Sequence, residues 1–265
     1  MAPLTWTNDH RWWVIIPAIV ILLVAAAASF WFVVLRSVGS PVDLRDALRL
    51  YRNQGGTRDV AGAGLPEPGV YQYRTSGGEQ LSVAGIRRAF PPSTTMIVTE
   101  GSCATVQWQA LQQHVEQIVE CSQPDGSLTL SSATTTEQIA TSSTTTVVAC
   151  PRDTLIVPAH PYTGERWSSS CHQDRSAVKL SGQVIGSGSF TVGTQSVAAI
   201  HTRFTMYFSG AEQGVCPTDV WIAPADGLIL RQRESASISQ ASGPLGSVRY
   251  SETMDVALQS LVPAR

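Results

Sequence analysis

Thr218–Ser235, TDVWIAPADGLILRQRES, reads as strand, turn, strand, and that reading sets the fold class. Pro224 and Gly227 punctuate it as PADG: proline removes a backbone donor, aspartate bonds its own backbone, and glycine takes the positive φ that a tight turn needs. Alternation over Leu228–Ile238 and over His201–Phe208 puts one set of side chains inward and leaves the other polar, as on a sheet with one buried face.

The same grammar extends outward. Short runs rich in Val, Ile, Thr, Tyr and Trp fill Gly69 to Leu261, separated by SGGE at Ser76, PDGS at Pro124, PADG at Pro224 and GPLGS at Gly243. These are antiparallel-sheet signals. Strands are expected at Val70–Thr75, Gln80–Ile86, Ala104–Gln109, Val115–Cys121, Ala177–Ile185, Ser196–Phe208 and Val248–Leu258, among others. The Thr/Ser tract Ser131–Thr146 (SSATTTEQIATSSTTT) reads as two solvated strands, with a glycosylated loop as its alternative. The class is mainly β, a large antiparallel curved sheet of half-barrel or barrel-like form over residues 69–265.

Ahead of this domain lies an uninterrupted apolar run, Trp12 to Leu35, between Arg11 and Arg36. Its 24 residues contain fourteen Val, Ile, Leu or Phe and no charge, and at about 1.5 Å per residue such a helix covers a hydrocarbon core of about 30 Å. Residues 12–35 therefore read as a transmembrane helix, with 1–11 as a cytoplasmic flank. Trp12, Trp13 and Trp31 fall where indoles anchor at membrane interfaces. A cleavable signal with a small-residue site at Ala25–Ser29 is the competing reading, but the run stays apolar beyond it.

Between the two regions, residues 36–68 divide into a helix and a linker. Pro41–Asn53 (PVDLRDALRLYRN) places Val42, Leu44, Ala47, Leu48 and Tyr51 at helical spacing, with Asp43 and Asp46 early and Arg49 and Arg52 late, in keeping with the helix dipole. It reads as a short stalk helix. Gln54–Pro68 has no period and reads as a Gly/Pro linker.

The flanking arginines Arg36, Arg45, Arg49 and Arg52 taken alone point the large domain to the cytoplasm, but that rule is weak for long domains. Cysteine usage decides otherwise. Cys103, Cys121, Cys150, Cys171 and Cys216 contain no C-x-x-C pair, so the spacing does not suit zinc. Cys103 and Cys121 bracket a hairpin turning near Leu111–Gln113, and a bridge there would contribute about 3 kcal/mol. Cys150 with Cys171 is the simplest second bridge and leaves Cys216 as the free thiol; Cys171 with Cys216 is the alternative. Two bridges imply an extracytoplasmic domain.

Composition narrows function further. The chain carries a net charge of −2 with 14% charged residues, so no basic field for nucleic acid exists. No H-E-x-x-H, G-x-S-x-G, P-loop or dinucleotide glycine pattern occurs, and neither catalytic residues, nor a metal, nor a cofactor is expected. His160 and His172 share the second cysteine loop and read as solvated. Ser187 and Ser189 in GSGSF read as a flexible turn, and Arg87 and Arg88 as a solvated strand end.

Three pieces, PEPGVYQYRTSGGEQLSVAG at the domain start, the group Cys103, Trp108 and Cys121, and the TDVWIAPADGLILRQRES stretch, resemble half-barrel lipoprotein carriers of the periplasmic and mycobacterial lipid-binding type. The domain is also similar to membrane-anchored actinobacterial extracytoplasmic proteins. Carriers of this kind hold helices against the concave face of the sheet, which this chain lacks in sequence. The resemblance implies a binding module tethered to the lipid bilayer, with a lipid or other envelope component as ligand, and transfers no ligand-binding residue by position. From the strand pattern itself, Ile200, Phe204, Trp221, Ile229 and Leu230 are candidates for one buried face, with core packing as the use each favours. The alternative is a non-catalytic scaffold docking an envelope protein partner.

Overall fold

The computed structural model describes residues 39–55, 64–82, 85–139, 142–241 and 246–265. The apolar run and the indoles of Trp12, Trp13 and Trp31 lie outside the described residues. No helix among the described residues is long and apolar enough to cross a membrane.

Among the described residues, fourteen strands follow one helix: β1 Gly69–Leu81, β2 Ile86–Ala89, β3 Ser93–Thr99, β4 Ala104–Leu111, β5 His114–Ser122, β6 Leu128–Ile139, β7 Ser142–Ala149, β8 Leu155–Val157, β9 Arg166–Gln173, β10 Ser176–Val192, β11 Gln195–Gly210, β12 Glu212–Ile222, β13 Ile229–Ala241 and β14 Ser247–Leu258. Neighbours pair antiparallel in nearly sequential order. β14 returns to β1, with Tyr73 opposite Leu258 through to Leu81 opposite Tyr250. Twelve strands thus close a barrel, with β2 added to β1 and β8 to β6. Closure removes the free edges that an open half-barrel would expose to aggregation.

The Thr/Ser tract forms parts of β6 and β7, as two strands. Two glycine-rich stretches read as turns are instead strand interiors. SGGE lies within β1, which bends there: Gly77 has φ 118°, and a Cβ on it would sit 1.9 Å from the Thr253 carbonyl oxygen. Only glycine lets β14 and β2 both approach so closely. GSGSF lies within β10, where Ser187 faces Ile200 and Ser189 faces Ala198 across the ladder, and the turn comes later, at Gly193.

The helix α1, Leu44–Asn53, is capped by Asp43, whose carboxylate accepts the Asp46 N–H at 2.8 Å. It is not a detached stalk. Ala47 and Tyr51 are buried against Val70 of β1 and Ile97 of β3 on the outside of the barrel, and Gln54 donates to Gln107 of β4. One compact unit accordingly runs from Gly39 to Arg265.

Alternation divides the barrel interior along its axis. Tyr71, Tyr73, Met96, Val98, Ile222, Leu230, Val256 and Leu258 belong to the main apolar cluster. Further along the same strands the inward positions turn polar, at Glu79 on β1, Arg88 on β2, His114 and Glu116 on β5, Glu137 on β6, Glu234 on β13 and Glu252 on β14. Cross-strand partners share a face, so the pairings Glu79–Glu252, Glu79–Arg88 and His114–Glu137 bring these side chains together.

Candidate functional site

Two regions of the lumen meet at Glu116. The first is a cavity of about 180 Å³ between β5, β6, β8 and β10–β13. Ile118, Leu130, Leu180, Phe204, Val220 and Ile229 give it apolar walls, and Glu116, Glu120 and Glu234 supply carboxyls. Glu120 is buried and its Oε2 has no hydrogen-bond partner. Burial pushes its carboxyl up to about 7. Glu234 is likewise pushed up to about 7, by burial and then by the nearby charge of Glu116, and it accepts a hydrogen bond from the Thr218 hydroxyl at 3.1 Å. Desolvation disfavours the charged form in both. At neutral pH the cavity therefore offers carboxyl groups able either to donate or to accept.

The second region is the polar end. His114 is fully buried, its Nδ1 2.6 Å from Glu79 Oε2 and its Nε2 3.3 Å from Glu116 Oε1. Arg88, also with no exposed side-chain surface, donates to Glu79 Oε1 at 2.7 Å and to the Gln138 carbonyl at 2.6 Å. The imidazole is held edge-on to Trp108 and Phe90, each with ring centroids 5.8 Å away. Tyr250 donates to Glu252 Oε2 and, at 3.4 Å, to Glu79.

Electrostatics follow from this packing. Burial pushes Glu79 up, but the hydrogen bonds and charges of His114 and Arg88 outweigh it and hold the carboxyl below its ordinary value. Burial pushes His114 down, and Glu116 and Glu79 together reverse that and hold the ring well above its ordinary value. Burial and the charge of Glu116 push Glu252 well up.

The sequence-derived candidates are placed as follows. Cys103 is bonded to Cys121 and Cys150 to Cys171, while Cys216 is a buried thiol opposite Met206 on β12, raised in pKa by burial. His160 and His172 are both exposed. Ile200, Phe204, Ile229 and Leu230 join or pack against the core. Trp221 is half-buried and also packs against the core, but off the cavity wall: it stacks on His201 at 4.1 Å and lies under Arg231 and Arg233, while its neighbours Val220 and Ile222 line the cavity. Arg87 is exposed, but Arg88 is not a solvated strand end, since its position on β2 faces inward to Glu79.

His114, Glu79, Glu116, Glu120, Glu234 and Glu252 were missed by sequence reading. The one local signal is His114-x-Glu116-x-x-x-Glu120, which period-2 alternation puts on one face of β5. Glu79 comes from β1, reached from β5 through β3 and β4, while Glu234 and Glu252 come from strands more than 100 residues away that closure brings round.

No family model matches the chain, and no curated protein matches it. Among solved structures, a hypothetical lipoprotein from Escherichia coli K12, YmcC, is similar over 85% of this chain and 99% of its own, at 13% identity and a TM-score of 0.31. A superposition that loose carries no weight for fold or function.

Proposed function

We propose that the barrel is a membrane-anchored, extracytoplasmic binding module that takes a small amphipathic molecule of the lipid class into its lumen. The observation that carries this reading is the lumen cavity, apolar on its walls and supplied with the buried Glu120 carboxyl, whose Oε2 has no hydrogen-bond partner. Binding sites combine apolar walls with a few placed polar groups in this way. The ligand's tail packs against Ile118, Phe204 and Val220, and a hydroxyl or amine on it meets Glu120 or Glu234.

Size constrains the class. At about 180 Å³ the cavity falls below the 300–1,000 Å³ common for drug-sized ligands, so it suits one short chain or a compact amphiphile rather than a whole multi-chain lipid. The two disulfides support an oxidising compartment, and the apolar run at 12–35 supplies the tether. A protein-docking scaffold has less support, because among the described residues the exposed large apolar side chains that adjoin one another in the sheet are a single pair, Tyr207 opposite Val215. Nothing in this reading requires catalysis.

Native mass spectrometry of the full chain, purified in mild detergent from an oxidising compartment and then extracted with organic solvent, tests the proposal. A solvent-extractable adduct of stoichiometric amount is the expected result. Ligand-free protein with both disulfides formed, unchanged in mass by extraction and by incubation with envelope lipid extract, would overturn it.

A further inference from the structure

We propose that His114, Glu116 and Glu252 form a binding site for a divalent first-row transition cation, zinc by preference, within the polar end of the barrel. The proposal does not depend on what the lumen cavity binds.

Geometry brings the donors together. One donor atom from each of His114, Glu116 and Glu252 lies within 4.8 Å of the other two. Glu116 and His114 come from alternate positions of β5, which point to the same face, and Glu252 reaches them from β14 across the lumen. A second trio, Glu79, His114 and Glu137, satisfies the same spacing. It is the weaker candidate because Arg88 already neutralises Glu79 on one oxygen and the His114 Nδ1 contact occupies the other.

Glu252 gives the independent sign of a missing partner. The residue is only 3% exposed. Its Oε2 receives the Tyr250 hydroxyl, while Oε1 is buried with no hydrogen-bond partner. An orphaned carboxyl oxygen in a dry interior is costly unless a partner meets it. Charge supply agrees. Glu79, Glu116, Glu137, Glu234 and Glu252 place five carboxyls at this end of the barrel, and the two basic side chains paired among them are Arg88 and His114. Arg88 is taken up by Glu79 and the Gln138 carbonyl. Among the described residues, the imidazole is the one basic group that pairs with Glu116, and none pairs with Glu252.

The outer contacts of the ring complete the pattern. Nδ1–H donating to the Glu79 carboxylate leaves Nε2 as the ligand and fixes the ring orientation, as carboxylate–histidine pairs do behind bound metals. On binding, the His114 Nε2 proton and the proton that burial favours on Glu252 are released to solvent, and the dication takes their place between the two carboxylates. One imidazole nitrogen with two carboxylate oxygens suits zinc and its neighbours, whereas calcium and magnesium call for all-oxygen shells of six or more. Three protein donors leave a fourth position for water or a ligand.

The test uses the full chain in detergent, stripped with a chelator, with Zn²⁺ affinity read by competition titration and site geometry by the visible absorption of bound Co²⁺. One equivalent of Zn²⁺ and a four-coordinate Co²⁺ spectrum are expected. Changes behind a metal ligand weaken binding by about 10–100-fold, so Glu116→Gln and Glu252→Gln, which remove ligands, should weaken it by at least about 100-fold, and Glu137→Gln, which removes a carboxyl facing Nδ1 and not a ligand, should weaken it by much less. Glu116 is partly exposed, so Glu116→Gln decides the matter if Glu252→Gln fails to fold. No metal on folded wild-type protein, undiminished binding by folded Glu116→Gln, or equal loss in Glu137→Gln would each overturn the proposal.

Discussion

Cys150 and Cys171 are bonded across the thinnest seam of the barrel. Between β7 and β9 the ladder holds a single position, Ala149 opposite His172, whereas β14 and β1 pair along their length. The disulfide therefore does locally what a run of backbone hydrogen bonds does elsewhere. Cys103–Cys121 differs: it joins β5 to the residue just ahead of β4, two strands already well paired.

That contrast yields a prediction. The sequence separations are 18 and 21 residues, so chain entropy assigns each bridge about 3 kcal/mol. Replacing Cys150 and Cys171 by Ala should also speed amide hydrogen exchange selectively in β7 and β9, while replacing Cys103 and Cys121 should lower global stability without a local opening. Equal exchange profiles for the two variants would contradict the seam assignment.

Glu120 sets a pH dependence of definite sign. Its carboxyl is raised by burial from 4.5 to about 7, so between those values the folded chain holds a proton that the unfolded chain releases, and stability falls as pH rises through that window. The contribution is about 3 kcal/mol once both values are passed. Glu120→Gln should raise the melting temperature at pH 8 relative to wild type and flatten the decline above pH 5. A variant less stable than wild type at pH 8 would show that the carboxylate has a partner in the folded state.

Arg88 shares the buried Glu79 carboxylate with His114. Arg88→Met leaves the Glu79 carboxylate without its 2.7 Å partner and the Gln138 carbonyl without a donor. Removing one member of a buried pair costs about 3–5 kcal/mol, to be read by denaturant titration. A loss below about 1 kcal/mol would mean that Glu79 is neutral in the folded protein.

Gly182 is the space into which an indole fits. A Cβ there would lie 2.2 Å from Trp167 Cε2, and the Trp167 ring is held by donation to the Leu155 carbonyl at 2.8 Å. Gly182→Ala should displace the ring, shift its fluorescence and cost about 1–3 kcal/mol as overpacking does. An unchanged spectrum would place the indole elsewhere.

Much of the fold was legible because turn chemistry and alternation are local. PADG, PDGS and the alternating run ending at Phe208 marked their strands, and the cysteine spacing pointed to the two bridges found. SGGE and GSGSF misled because glycine serves two purposes: it makes turns, and it also lets strands bend or approach closely, as Gly77 does against Thr253. The lumen site was largely illegible. Glu79, Glu116 and Glu252 look like ordinary surface glutamates in sequence, and Arg88 resembles Arg87 beside it; which of them faces inward depends on register and closure. Trp221 packs against the core as read but lies off the cavity wall, because alternation gives the cavity positions to Val220 and Ile222 beside it.

The central claim, that the lumen is the binding compartment, is tested most directly by photocrosslinking the full chain with a short acyl probe carrying a photoreactive tail and mapping the labelled peptides. Labels on inward residues of β5 and β11, Ile118 and Phe204, competed away by unlabelled amphiphile, are the result predicted. Labels confined to outward side chains of the same strands, Val119 and Tyr207, would contradict it and move the binding surface to the outside of the barrel.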